Sequence, residues 1–173
     1  MESLIKYQKG FMSKNDANKI SEYLKKYDNL FTHFGNNEKE FQVHTQGEIL
    51  QIDSGILNLI DHYGFMVHDF VKKSYVGPFK NFDLSKTHIA RFEEGPGMHE
   101  HFDSSRPNDI ATILYLNSDY LGGEIYFPKY QISIKPNPGD LLCFPDTVDF
   151  VHGVRPITSG IRYTAPRWFT RIV

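Results

Sequence analysis

The sequence predicts an α+β fold, mainly β, in which helices come first and a sandwich or barrel of short strands follows. In the first part of the chain apolar residues recur at helical spacing, whereas after Gly77-Pro78 short strand-like runs alternate with turn residues. Aromatic residues make up 14% of the 173 residues, which favours strands over a helical bundle. Because the helical segments precede the strands, we expect the helices to cover one face of the sheet.

Two helices are expected before residue 76. The first begins at Ser13, a cap residue followed by Asp16 three positions later, and an apolar stripe continues from there to Tyr27. The second follows Asp53 and runs to about residue 70. Gly64 lies inside it and costs roughly 1 kcal/mol relative to alanine, so the pattern leaves room for a break there. A short strand is predicted near residues 41–44.

The strand-like runs lie at 86–93, 110–117, 123–128, 131–135, 139–144, 149–154 and 160–172. Short strands at such regular spacing are typical of a sandwich or barrel. We therefore expect one domain over residues 1–173, with a helical part at about 1–76 and a strand-rich core at about 80–173.

Composition excludes several classes of protein. The formal net charge is −2, so no basic surplus exists to neutralise phosphates, and a nucleic-acid partner is not expected. Cys143 is the only cysteine, so no intrachain disulfide can form, which fits a reducing compartment. The N-terminus shows no signal-peptide pattern and no apolar run is long enough for a membrane span. We expect a cytoplasmic protein without a membrane anchor.

Three residues form a candidate metal site. His101 and Asp103 are two positions apart, so in a strand both side chains point to the same face. His152, from a distant strand, would complete a set of two histidines and one carboxylate, which is typical of non-heme Fe(II) oxygenases. These three residues alone are weak evidence for a metal site. His101 could equally be a surface residue, and His152 could be a core histidine with its hydrogen bonds made within the protein.

Five stretches between Ile89 and Phe169 strengthen this interpretation, because their order and spacing resemble the prolyl 4-hydroxylase-type branch of the 2-oxoglutarate and Fe(II)-dependent oxygenases. The stretches are Met98–Asp103, Thr112–Asn117, Gly122–Pro128, Pro138–Pro145 and His152–Arg162. The resemblance implies a double-stranded β-helix, or jelly roll, for the core. It also implies hydroxylation of a C–H bond with release of succinate and CO2. The implied cofactors are Fe(II), 2-oxoglutarate and dioxygen, with ascorbate in support.

The resemblance also implies roles for individual residues. His101, Asp103 and His152 would be the catalytic iron ligands. Arg162 would hold the distal carboxylate of 2-oxoglutarate, with Tyr115 beside it, and a planar guanidinium suits that task because it binds carboxylates bidentately. Trp168, on the face of Arg162, would line the substrate side.

Two positions depart from the family pattern. Phe92 stands where many members carry a tyrosine, and Pro166 stands where a small hydroxyl residue is commoner. Thr164 shares the face of Arg162 and is a candidate for the missing hydroxyl. Because proline lacks an N–H, the last strand is expected to be an edge or bulged at Pro166. His99 shares the face of His101, so it could contact metal or substrate, or merely be exposed.

Three functions remain open. The first is hydroxylation of a peptidyl proline, with a candidate lid at 74–83 and a peptide or protein as partner.

The second is the same chemistry on a free amino acid or another small metabolite, for which Arg106, Arg155 or Arg167 would supply an additional cation. Arg155 and Arg167 are odd-spaced from His152 and Arg162, so they should point away from the site, which favours the peptide. The third is a jelly-roll binding module without turnover.

Overall fold

A computed structural model describes residues 4–33, 42–75, 79–81, 88–103 and 110–171. Helices dominate the first part of the described chain and strands the second, as the sequence predicts. The α+β, mainly β class is therefore confirmed, and with it the position of the helices on one face of the sheet. No helix in the described ranges is both long and apolar enough to cross a bilayer.

The helices are α1 (Lys14–Lys26), α2 (Gln46–Ile52) and α3 (Ser54–Ser74). The Ser13 side chain caps α1 by accepting from the Asp16 N–H, as expected, and the Asp53 side chain caps α3. The short α2 was not predicted.

Helix α3 passes through Gly64 without a break. A Cβ at this position would lie 2.5 Å from the guanidinium of Arg167. Gly64 therefore allows the helix to lie close to a buried arginine of the sheet, and the break that its low helix propensity suggested does not occur.

The strands in the described part of the chain are β1 (Lys6–Gln8), β2 (Thr32–His33), β3 (Gln42–Thr45), β4 (Phe79–Asn81), β5 (His88–Phe92), β6 (Met98–His101), β7 (Ile110–Tyr115), β8 (Tyr120–Gly122), β9 (Ile125–Phe127), β10 (Ile132–Ile134), β11 (Leu141–Pro145), β12 (His152–Val154), β13 (Ile157–Gly160) and β14 (Arg162–Arg171). Short 3-10 turns lie at Asp28–Leu30, Pro128–Tyr130 and Val148–Phe150.

These strands form two main antiparallel sheets. The major sheet has the order β1-β11-β7-β14-β5-β3-β2, with β4 paired to β14, and the minor sheet has the order β10-β9-β12-β6. Strands β13 and β8 form a separate pair. Because β1, β2 and β3 belong to the major sheet, the first 76 residues are not purely helical. The predicted helical part thus also supplies both described edges of that sheet.

Alternation along β14 separates two layers of packing. Tyr163, Ala165 and Phe169 belong to a core shared with the helices. Arg162 and Trp168 point to the opposite side and line a cavity between the two main sheets. The alternation of side chains along this strand therefore places the candidate site residues Arg162 and Trp168 between the two main sheets.

Strand β14 is central in the sheet and has no bulge against β7, but at Pro166 itself β7 is the only described strand beside it, which agrees with the expected local edge. Its ladder with β7 runs without interruption through the pair Pro166–Ile113. On its other side β14 pairs with β5 at 162–164 and with β4 at 169–171, and Pro166 lies between these two pairings. The proline is tolerated in a central strand because it lies at this change of partner.

The structure describes Ser74, Tyr75 and β4 of the candidate lid at 74–83, and the other five positions lie outside the described residues. Arg106 also lies outside them.

Candidate active site

Two adjacent strands bring the three predicted metal ligands together. His101 is the last residue of β6, His152 is the first of β12, and the two are paired across the strands. Asp103 lies two residues beyond His101, just past the end of the strand rather than within it. One ligand atom from each of the three side chains lies within 4.8 Å of the others. A single ion could therefore contact all three.

Backbone carbonyls orient both histidine rings. Nδ1 of His101 lies 2.7 Å from the carbonyl oxygen of His99, and Nδ1 of His152 lies 3.2 Å from that of Phe150. A proton on Nδ1 that is donated to these carbonyls leaves Nε2 with its lone pair toward the site. Such hydrogen bonds fix the tautomer and the ring angle of metal-binding histidines.

Two hydrogen bonds hold Asp103. The indole Nε1 of Trp168 donates to Oδ2 over 2.8 Å, and the backbone N–H of Asp103 donates to Oδ1 of the buried Asp146 over 2.8 Å. The second carboxylate oxygen, Oδ1, lies 3.2 Å from Nε2 of His101. This oxygen is the one left to face an ion.

The pKa values of Asp103 and His152 favour their ligand forms, the carboxylate and the neutral imidazole. Burial raises the pKa of Asp103, but hydrogen bonds from His101 and Trp168 outweigh it, so the net shift is downward. Burial lowers the pKa of His152 and keeps that imidazole neutral. The hydrogen bond with Asp103 raises the pKa of His101, and a cation between them would take the place of that proton.

The metal-ligand group opens on a cavity of about 110 Å³ between the two main sheets. Its walls are mostly apolar, with contributions from β5, β6, β7, β9, β12 and β14. The lining residues are Ala90, Phe92, Met98, His101, Asp103, Ala111, Thr112, Ile113, Ile125, His152, Val154, Arg162, Thr164, Pro166 and Trp168.

A buried arginine occupies one part of this cavity. Arg162 is 1% exposed, and its Cζ lies 4.7 Å from the ring centroid of Phe92 and 5.2 Å from that of Tyr115. Its Nε and Nη1, like the hydroxyl of Tyr115, are buried without a hydrogen-bond partner among the described residues. Buried guanidinium nitrogens without a partner are costly, so the site fits an anionic ligand such as the carboxylate of 2-oxoglutarate.

The remaining predicted site residues differ in where they lie. Thr164 is buried and lines the cavity beside Arg162, whereas Tyr115 is fully buried and does not line it. Burial raises the pKa of Tyr115 to about 12, so its hydroxyl stays protonated and can donate.

Trp168 lines the cavity as expected, but it also holds Asp103. His99 is exposed and does not line the cavity; it acts on His101 through its backbone carbonyl.

The two described arginines that the metabolite hypothesis required lie away from the cavity. Arg155 stacks over the ring of Tyr126, with its Cζ 3.9 Å from the centroid. Arg167 points to the helices, where its Nη2 lies 3.5 Å from Oδ1 of Asp61. Sequence reasoning missed Asp146, because a side chain that binds a backbone N–H 43 residues away leaves no local pattern.

A jelly roll with two histidines, one aspartate and a buried arginine around its cavity has the features of the 2-oxoglutarate and Fe(II)-dependent oxygenases. The family model for the 2OG-Fe(II) oxygenase superfamily matches residues 87–170. Prolyl 3-hydroxylase 2 from Gallus gallus is 36% identical over 67 residues, which are 36% of this chain and 10% of that relative. The chain therefore matches only a small part of this longer relative.

Solved structures show the same fold over nearly the whole chain. A prolyl-4-hydroxylase from Pseudomonas putida has a TM-score of 0.76 at 18% identity, covering 99% of this chain and 95% of that one. A prolyl hydroxylase from Trichoplax adhaerens, in complex with a hypoxia inducible factor peptide fragment, has a TM-score of 0.77 at 17% identity, covering 98% and 84%. The chain is thus similar to the 2OG-Fe(II) oxygenase superfamily over residues 87–170, the part that carries the three candidate metal ligands and Arg162, and it is similar in fold to prolyl hydroxylases. The cofactors of this superfamily are Fe(II), 2-oxoglutarate and dioxygen.

Proposed function

We propose that this protein hydroxylates a C–H bond of a peptidyl proline, with 2-oxoglutarate and dioxygen as co-substrates and Fe(II) as the metal. One oxygen atom enters the substrate as a hydroxyl, and the other enters succinate as 2-oxoglutarate loses CO2. The observation that carries the proposal is that one cavity contains both the three candidate metal-ligand side chains and the buried guanidinium of Arg162, whose Nε and Nη1 have no hydrogen-bond partner among the described residues.

In this proposal His101, Asp103 and His152 hold Fe(II) through two nitrogens and one oxygen. This donor set leaves three positions of an octahedral ion open, and the bound iron supplies the activation of dioxygen. The protein's contribution is geometric: the carbonyls of His99 and Phe150 fix the two rings, and Trp168 fixes the carboxylate.

Arg162 would bind the distal carboxylate of 2-oxoglutarate. Its fork of N–H donors matches a carboxylate, and its burial makes such a bond stronger than it would be in water. Thr164 also lines the cavity and offers a hydroxyl, and the ring centroid of Tyr115 lies 5.2 Å from Cζ of Arg162. These three side chains would fix the co-substrate so that its keto acid end points toward the metal.

The walls of the cavity support a prolyl substrate. Met98, Ile113 and Val154 offer apolar surface, and burying the methylenes of a pyrrolidine ring gains about 0.8 kcal/mol each. Among the described lining residues, Arg162 is the only lysine or arginine. An acidic metabolite would require a second cation, which the lining does not offer once Arg162 holds the co-substrate.

The test uses purified protein with Fe(II), 2-oxoglutarate and ascorbate in air. A panel of proline-containing peptides is compared with free amino acids, and both succinate and the mass of each candidate substrate are measured. We expect succinate to rise with at least one peptide, and that peptide to gain the mass of one oxygen atom. The matched control is Asp103→Ala, which should produce neither.

Two other outcomes would overturn the proposal. Succinate production with free amino acids alone would make the protein a metabolite hydroxylase. Binding of Mn(II) and 2-oxoglutarate without any turnover across the panel, and without slow oxidation of 2-oxoglutarate, would make it a binding module.

A further inference from the structure

Four buried polar atoms without a hydrogen-bond partner cluster around Arg162 in the described part of the chain. They are Nε and Nη1 of Arg162 and the hydroxyls of Tyr115 and Tyr120. The three side chains are 1%, 0% and 4% exposed, so water does not reach them freely. Tyr120 has no place in the function proposed above.

The backbone brings Tyr120 to this position. Tyr120 is the first residue of β8 and pairs with Gly160 of β13, two residues before Arg162. A Cβ at Gly123 would lie 3.0 Å from Cε2 of Tyr120 and 3.3 Å from Cδ of Arg162, so the two side chains converge on the same point. Tyr120 also packs with Phe92, the residue whose ring lies against the guanidinium.

All four unpartnered atoms can donate: the two guanidinium nitrogens donate only, and each phenol carries one O–H that can donate while its oxygen can also accept. Burial raises the pKa of both tyrosines, while the charge of Arg162 opposes the rise, so both phenols keep their protons at neutral pH. Lys135 adds positive charge, because its ammonium lies 3.8 Å from the ring centroid of Tyr120. A cluster of donors next to two cations is suited to an acceptor with negative charge.

We propose that Tyr120 donates a hydrogen bond to the distal carboxylate of 2-oxoglutarate, beside Arg162 and Tyr115. This inference rests on the proposed function. Phe92 has no hydroxyl, and Tyr120, packed against it, supplies one from the neighbouring strand pair instead. The carboxylate would thereby satisfy donors that are otherwise buried without a partner.

The test measures ligand affinity in Mn(II)-loaded protein, in which 2-oxoglutarate binds without turnover. Isothermal titration gives the dissociation constants of 2-oxoglutarate and of 2-oxopentanoate, which has the same keto acid end but no distal carboxylate. We expect Tyr120→Phe to weaken the binding of 2-oxoglutarate about ten- to a hundredfold, which is the usual effect of losing a hydrogen bond to a charged group. The affinity for 2-oxopentanoate should change less than about threefold, because that ligand never made the bond.

Thermal unfolding of the protein without ligand gives a second readout. Because the Tyr120 hydroxyl has no partner there, Tyr120→Phe should unfold at the same temperature as the wild type or at a higher one. The matched control is Tyr75→Phe, which removes a hydroxyl that donates to the carbonyl of Leu4 over 2.8 Å. That variant should unfold at a lower temperature and keep wild-type affinity for 2-oxoglutarate.

The outcomes separate this inference from the proposed function. Wild-type affinity for 2-oxoglutarate in Tyr120→Phe would overturn the inference alone. Equal weakening of both keto acids would also overturn it, because the effect would then not concern the distal carboxylate. Failure of the wild-type protein to bind 2-oxoglutarate would overturn the proposed function and this inference together.

Discussion

The indole of Trp168 donates a 2.8 Å hydrogen bond to Oδ2 of Asp103, although 65 positions separate the two residues. This bond occupies one carboxylate oxygen and leaves Oδ1, near His101, free to face an ion. The aromatic side chain that the sequence assigned to the substrate side thus also orients Asp103, the proposed carboxylate ligand. Partners of this kind are often worth ten- to a hundredfold in metal affinity.

Trp168→Phe should therefore weaken Mn(II) binding about ten- to a hundredfold, because an aromatic ring remains while the indole N–H donor is lost. Titration of the apo protein with Mn(II), followed by electron paramagnetic resonance, measures the change. Tyr63→Phe is the control, since it removes a hydroxyl that donates to Asp16 in the helical layer. If Trp168→Phe kept wild-type affinity, the hydrogen bond would have no influence on the metal.

Substitution of the metal ligands tests the site itself. We expect Asp103→Ala and His152→Ala each to lose measurable Fe(II) binding and all succinate production, because two remaining ligands hold the ion poorly. Iron content after anaerobic loading and gel filtration is the measurement. Glu100→Ala removes an exposed carboxylate next to His101 and should keep both properties. Wild-type iron content in both ligand variants would show that the metal binds elsewhere.

Arg162→Ala separates co-substrate binding from metal binding. Loss of a buried charged partner costs roughly 2–5 kcal/mol, so the affinity for 2-oxoglutarate should fall by about one to four powers of ten. Iron binding should survive, because Arg162 is not among the ligands. The control is Arg155→Ala, which removes an exposed guanidinium stacked on Tyr126 outside the cavity. An unchanged dissociation constant for 2-oxoglutarate in Arg162→Ala would contradict the assignment.

The parts of the fold that the sequence predicted are those with a local period. The alternation along β14 sends Arg162 and Trp168 to one side, as counting along the sequence indicates. His101 and Asp103 also come together as their i, i+2 spacing predicts, although Asp103 lies just past the end of β6. The cap at Ser13 is a local signal too, since its hydrogen bond spans three residues.

The parts that the sequence did not predict depend on contacts between distant segments. Strand β1 is three residues long and is defined by its pairing with β11, so no period reveals it. The bond from Trp168 to Asp103 and the passage of α3 over Arg167 at Gly64 are further examples. In each case the residue types allow several local structures, and tertiary packing selects one.

The last prediction concerns stability and pH, and it rests on Asp140. This carboxylate is 2% exposed and accepts hydrogen bonds from the backbone N–H groups of Gly10 and Asn137 and from the hydroxyl of Tyr7. Burial raises its pKa, but these hydrogen bonds outweigh it, so the folded-state pKa is lowered. A lowered pKa means that the ionised group stabilises the fold above its unfolded pKa of about 3.9, and that this stabilisation is lost as the pH falls through the folded value.

Asp140→Asn should therefore lower the free energy of unfolding at pH 7 by about 1–3 kcal/mol, and the difference from the wild type should shrink as the pH falls below about 4. Urea unfolding at a series of pH values measures both curves. Asp149→Asn is the control, because that carboxylate is exposed and pairs only with the exposed Lys129 in the described structure, so little change is expected at any pH. If the difference in unfolding free energy between Asp140→Asn and the wild type stayed constant from pH 7 to acid, the variant would be destabilised by the shape of the amide group and not by the loss of charge. Equal stability at pH 7 would show that the hydrogen bonds to Asp140 do not depend on its ionisation.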